Sequence, residues 1–154
     1  MQNIVVAPSR RIFLSSLGGA VVAVTLLPRT LSAATDDVQA EVKKLYGDKP
    51  MKEGKIKIDL PSIAENGLVV PLGFEVESPM TEQDYVKAIH FFAEGNPNPL
   101  VASFHFTPLC PKAAASIRIR LAQTQKVFAI AEMSSGELFT SAKEVKVTIG
   151  GCGG

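Results

Sequence analysis

From Gly54 onward the chain alternates. Lys55-Ile56-Lys57-Ile58-Asp59-Leu60 places its apolar side chains on one side and stops at Pro61, as a half-buried strand does. Leu68 to Val76 is a second extended run, in which Pro71 and Gly73 predict an edge position or a bulge. Val86 to Ala93 and Leu100 to Phe106 flank the turn formers Glu94-Gly95-Asn96-Pro97-Asn98-Pro99, which predicts an antiparallel hairpin. Ser116 to Leu121, Val127 to Met133 and Ala142 to Ile149 supply three more strands, with a turn at Ser134-Ser135-Gly136 and a short extended run at Leu138-Phe139.

Before the strands the period is that of a helix. Asp36 to Tyr46 opens with acids, ends with lysines, gathers Val38, Val42, Leu45 and Tyr46 on one face, and is closed by Gly47. About seven short strands and one short helix predict an all-β chain, an immunoglobulin-like antiparallel β-sandwich occupying 35–149.

The first 34 residues follow a different logic. Ser9-Arg10-Arg11-Ile12-Phe13-Leu14 leads into a run that is apolar to Leu27, and Ser32-Ala33-Ala34 closes it. A charged start, an apolar middle and small residues before a cut after Ala34 describe a secretory signal. Arg10 and Arg11 make it a twin-arginine signal, read by the route that exports folded proteins to the periplasm. Folded export has two usual physical reasons, an inserted cofactor or a partner folded alongside. The mature chain holds two Cys and two His, no two closely spaced, so a zinc, haem or iron–sulfur ligand set is absent and no cofactor is expected. A co-exported partner is the reason that remains.

Charge narrows the partners. Three of the 16 basic residues, Arg10, Arg11 and Arg29, lie in that leader, which has no acid, so the remainder is slightly acidic. Neither nucleic acid nor an anionic membrane suits such a surface. His90 and His105 each sit inside a strand and read as structural. No nucleophile elbow or paired acid and base stands out, so the chain is not expected to be an enzyme. Cys110, between prolines in Thr107-Pro108-Leu109-Cys110-Pro111, reads as a loop or partly buried thiol, with bridging to another chain or to Cys152 left open.

Cys152 has no such structural role available. Residues 150–154, Gly150-Gly151-Cys152-Gly153-Gly154, form a flexible arm on which a thiol can stand roughly 10 Å beyond the last strand residue, Ile149. Nothing adjacent activates it, so at pH 7 roughly 3% is thiolate. A slender, mobile, unactivated thiol suits a covalent carrier presented to other proteins' active sites. The alternative is a structural protein whose tail cysteine forms an intermolecular disulfide, which needs flexibility on one side of the sulfur only.

The glycine-flanked cysteine, the strand Glu144-Val145-Lys146-Val147-Thr148-Ile149 before it, the stretch I-R-I-R-L-A-Q-T-Q-K-V-F-A-I-A-E-M and the twin-arginine start together resemble the SoxY family, the sulfur carriers of bacterial thiosulfate oxidation. The resemblance implies a β-sandwich paired with a SoxZ-like sandwich subunit that travels as its passenger. It implies that Cys152 is the attachment site, that Gly150, Gly151, Gly153 and Gly154 are its arm, and that haem, manganese and molybdenum enzymes act on the carried group. SoxY-like carriers beside quinoprotein dehydrogenases are a second pathway the resemblance admits. Cys110 departs from the family's usual single cysteine, and no role is carried over to it.

Overall fold

The computed structural model describes residues 33–150. Helix α1 (Ala33–Tyr46) leads into nine strands in two sheets. The larger sheet runs β1 (Met51–Glu53), β9 (Leu138–Ile149), β8 (Gln125–Met133), β5 (Val86–Ala93), β6 (Leu100–His105), with β3 (Ile63–Asn66) also paired to β9. The smaller sheet runs β2 (Ile56–Asp59), β4 (Val70–Val76), β7 (Ala113–Ile119). Their facing sides form one core, in which Leu72 and Phe74 of β4 meet Ile89 and Phe91 of β5 and Val127 and Ala129 of β8. Phe74 is its aromatic centre, with ring centroids 5.0 Å from Phe91 and 4.9 Å from Phe104, within the range of favourable tilted pairs.

The expected sandwich is present, and β5–β6 is the expected antiparallel hairpin. Helix α1 does more than precede it. Val38 and Tyr46 are buried with Phe92, Ile130 and Leu138 on the outer face of the larger sheet. This explains why β5 is apolar on both sides, since a strand covered on both faces loses its alternation. Gly47 closes the helix in the left-handed region (φ +67), its N–H reaching Lys43 O at 2.9 Å. Leu45 departs from the expected helix face and stays exposed.

Other departures have local causes. β4 is the middle strand of its sheet and pairs with β7 from Val70 to Val76, where an edge or bulge was expected. Pro71 is tolerated because β2 extends only to Gly73, leaving β4 with one neighbour at that point. Leu138-Phe139 and the following run are one 12-residue strand, held in register by β8 from Glu132↔Leu138 to Gln125↔Val145. β1 and β3 gave no sequence signal; both lie parallel to β9, on its first and last residues respectively. Between β1 and β2, Gly54 (φ +115) and Lys55 (φ +58) carry the chain from one sheet to the other.

Candidate functional site

β9 leads directly to the arm, and its last residues are held from two sides. On one, β3 pairs in parallel with Lys146, Val147 and Ile149, and Gly67 N–H donates to Ile149 O at 2.8 Å. On the other, β8 has ended, and a side chain takes over from the ladder. Thr124 Oγ1 accepts from Val147 N–H at 2.9 Å and donates to Val147 O at 3.4 Å. The strand is therefore fixed as far as Ile149.

Gly150 is exposed but not surrounded by open space. A Cβ there would stand 2.3 Å from Ala122 O, a backbone atom. Gly150 is thus pressed against the β7–β8 loop, and only glycine permits that approach. The sequence suggested glycine for slenderness and mobility; the geometry adds a steric requirement at this one position.

The loop that supplies Ala122 is itself tied down. Asn96, in the β5–β6 turn, accepts at Oδ1 from Ala122 N–H (2.9 Å) and from Gln125 Nε2 (2.9 Å), and donates from Nδ2 to Arg120 O (2.8 Å). Buried Gln125 also donates to Gln123 O at 3.1 Å and accepts from Gly95 N–H at 2.6 Å. Gly95 packs so closely that a Cβ would lie 2.8 Å from Gln123 Nε2. Leu121 N–H donates to Gly67 O at 2.8 Å, joining this loop to the turn after β3. Asn96, Thr124, Gln125 and Gly67 therefore position the arm's root. Read along the chain, Asn96 is one turn former among several, and its capacity for three simultaneous hydrogen bonds across 24 to 29 residues has no local signature.

Of the expected site residues, Gly150 lies at this root. Gly151, Cys152, Gly153, Gly154, Arg10 and Arg11 lie outside the described residues. Cys110 is a free thiol in the β6–β7 loop, packed against the core and 4.0 Å from Thr107 Oγ1. It sits beyond the opposite end of β7 from the arm, and that strand alone spans about 20 Å, twice the reach of a thiol two residues past Gly150. The geometry separates Cys110 from the arm within one chain.

His90 and His105 form a second polar cluster, on the outer sheet face. Buried His90 bonds through Nδ1 to Tyr46 Oη, and its ring centroid is 5.8 Å from that of His105. Burial pushes the Tyr46 phenol well above its usual value, helped by Glu132. The phenol therefore keeps its proton and donates it to Nδ1, which places the imidazole proton on Nε2. Burial, then the nearby His105, lowers His90, against a smaller opposing pull from Glu132. The Tyr46–His90 bond ties α1 to the sheet. Among the described residues, no group of three or more His, Cys, Asp or Glu is placed to hold a metal ion. A groove of about 460 Å³ beside α1, lined by Val42, Met51 and Phe128 among others, reaches Thr140, nine residues or about 30 Å along β9 from the arm.

Comparison with known proteins bears on this geometry. Residues 42–152 match the family model for the sulfur oxidation protein SoxY. The structure of the sulfur carrier protein SoxY from Chlorobium limicola f thiosulfatophilum is similar at a TM-score of 0.63 and 32% identity, covering 75% of this chain and 99% of that one. A superoxide reductase (neelaredoxin) variant, E23A, from Ignicoccus hospitalis shares the fold at a TM-score of 0.55 and 17% identity, covering 71% of this chain and 86% of its own. No match was found among curated protein sequences. The matched span includes the arm's root and ends at Cys152, and by that match the chain belongs to the SoxY family of sulfur oxidation proteins.

Proposed function

We propose that the protein is a periplasmic covalent sulfur carrier in thiosulfate oxidation, with Cys152 as the attachment site and residues 150–154 as the arm. The observation that carries this reading is the root itself. β9 is pinned to Ile149 by Gly67 and Thr124, and a glycine required by Ala122 O then starts the arm. A thiol on such a tether is displayed at a defined place while remaining thin enough to enter another protein.

Family chemistry fits a thiol with no activating neighbour. Cys152 thiolate and thiosulfate couple with loss of two electrons to a haem protein, giving a cysteine S-thiosulfonate. Water then cleaves it at a manganese hydrolase, releasing sulfate and two protons and leaving a persulfide. In organisms that have it, a molybdenum and haem pair removes six electrons from the persulfide while adding three waters' oxygen and releasing six protons; where it is absent, the sulfane sulfur is stored. A second hydrolysis, again releasing sulfate and two protons, restores the thiolate. The carrier contributes the bond and the reach, and works as a heterodimer with a SoxZ-like subunit exported with it by the route that Arg10 and Arg11 address.

The test is Cys152→Ser in a reconstituted thiosulfate-oxidising mixture containing the heterodimer. Sulfate production should stop, and production at the normal rate refutes the reading. Intact mass of the native protein should show sulfur or thiosulfonate adducts that reductant removes.

A further inference from the structure

Three aliphatic side chains ring the arm's root without cover. Leu68 and Val69 finish the turn between β3 and β4, and Ile149 is the last residue of β9; they are 44%, 54% and 67% exposed. They belong to one rigid unit. Gly67 N–H is bonded to Ile149 O, Leu121 N–H to Gly67 O, and Leu68 N–H to Asn66 Oδ1 at 2.9 Å. The turn is closed by Val69 N–H to Asn66 O around Gly67 and Leu68, and its backbone bonds do not call for aliphatic side chains at Leu68 and Val69. The exposed positions around them are mostly polar, Arg118, Arg120, Lys146 and Thr148 among them, with Ile63 of β3 (61%) and Leu100 at the start of β6 (37%) as further exposed aliphatics. Single exposed aliphatics are ordinary, but a cluster of three with a mostly polar surround is the pattern of a contact site.

The length of chain past this cluster says what rests on it. Cys152 is two residues beyond Gly150, so its sulfur reaches at most about 10 Å from the root. An active site that accepts the thiol must bring its own mouth within that distance of Gly150, and therefore onto Leu68, Val69 and Ile149. We infer that these three residues are the seat for the active-site mouth of the enzymes that act on the carried sulfur, each presenting an apolar rim around a channel wide enough for a glycine-flanked thiol. The inference rests on the carrier reading. Because every such enzyme needs the same sulfur through the same short tether, all of them use the one seat in turn, and each excludes the others.

The experiment is steady-state loading of the heterodimer with thiosulfate by the haem protein, followed through reduction of its electron acceptor at varied carrier concentration. Leu68→Ser combined with Val69→Ser alters exposed side chains only. It should raise KM for the carrier about tenfold or more, as loss of an apolar anchor does, with kcat at saturating carrier, melting temperature and the rate of Cys152 alkylation by iodoacetamide unchanged. An unchanged KM overturns the seat. So does loss of the SoxZ-like subunit on co-purification, or collapse of a wild-type self-associated species to a smaller one, since either assigns the patch to another occupant. Cys152→Ser run in parallel separates the two ideas: if it still supports sulfate production the carrier reading fails, and if it abolishes production while the double variant keeps its KM, only the seat fails.

Discussion

Replacing Asn96 with Ala removes the side chain that couples three segments at the arm's root. Three hydrogen bonds are lost, from Ala122 N–H and Gln125 Nε2 and to Arg120 O. The first two are partly buried and contribute about 1 kcal/mol each, while water replaces much of the third. The expected destabilisation is about 2 kcal/mol, which for a domain of this size lowers the melting temperature by roughly 8 °C and the urea midpoint by roughly 1 M at an m-value of about 2 kcal/mol/M. Asn98→Ala in the same turn is the control, exposed and expected within about 0.5 kcal/mol of wild type. Amide hydrogen exchange should rise at Ala122 and Val147, because the loop holding Thr124 is released. A midpoint within about 0.2 M of wild type (about a fifth of the expected energy), or an equal loss in Asn98→Ala, refutes the claim that Asn96 anchors this loop.

Gly150→Ala brings a Cβ to 2.3 Å from Ala122 O. Gly150 is exposed and shifts more readily than the hydrogen-bonded loop, so stability should hold to within about 0.5 kcal/mol while the Ala122 and Thr124 amide resonances shift and thiosulfate loading slows; unshifted resonances refute the close approach. Phe74→Ala should cost about 3–5 kcal/mol in chemical denaturation, since Phe74 packs against Phe91 and Phe104, and a cost below about 1 kcal/mol places the core elsewhere. His90 is lowered from its usual 6.5 in the folded state, so below about pH 6.5 the unfolded chain binds the extra proton and stability falls with pH, by at most about 1.4 kcal/mol per unit. The contribution is present above pH 6.5 and is lost as pH drops through the depressed value. His90→Gln should flatten that slope in urea midpoints measured from pH 7.5 to 5, and an unchanged slope refutes the assignment.

What the sequence made legible follows from where the interactions are local. Strands β5, β6 and β8 carry their own periodicity and their own turns, so Val86 to Ala93 was readable to the residue. β1 and β3 are short, mostly polar, and exist because the far end of the chain offers β9 as a parallel partner; Met51↔Leu138 is a pairing across 87 residues and leaves no trace at Met51. The site divides in the same way. Cys152 and its glycines form a contiguous motif and stood out at once. Asn96, Gln125, Thr124 and Gly67 did not, because each is an ordinary loop residue until the topology brings the β5–β6 turn, the β7–β8 loop and the β3–β4 turn to the end of β9. Leu45 shows the opposite error: its spacing fitted the apolar helix face, but packing onto the sheet used Val38, Val42 and Tyr46 and left it outside.

On the carrier reading proposed above, the anchoring of the root is what lets so short an arm suffice. A thiol confined within about 10 Å of a fixed point stays concentrated at that point far above the millimolar levels typical of flexible linkers, and lengthening a tether dilutes it steeply. That advantage holds only if the root does not move, since mobility there adds to the volume the sulfur explores. If Leu68, Val69 and Ile149 are the seat inferred above, docking surface and arm act as a single device: a partner seated there meets the thiol without a search, whereas a partner seated elsewhere cannot be reached at all. Loosening the root through Asn96 should therefore slow loading in proportion to the added volume even under conditions where the domain remains fully folded. Loading kinetics at 10 °C, well below unfolding, measure that effect apart from stability, and an Asn96→Ala carrier that loads at the wild-type rate there shows that the root's rigidity has no part in presenting the sulfur.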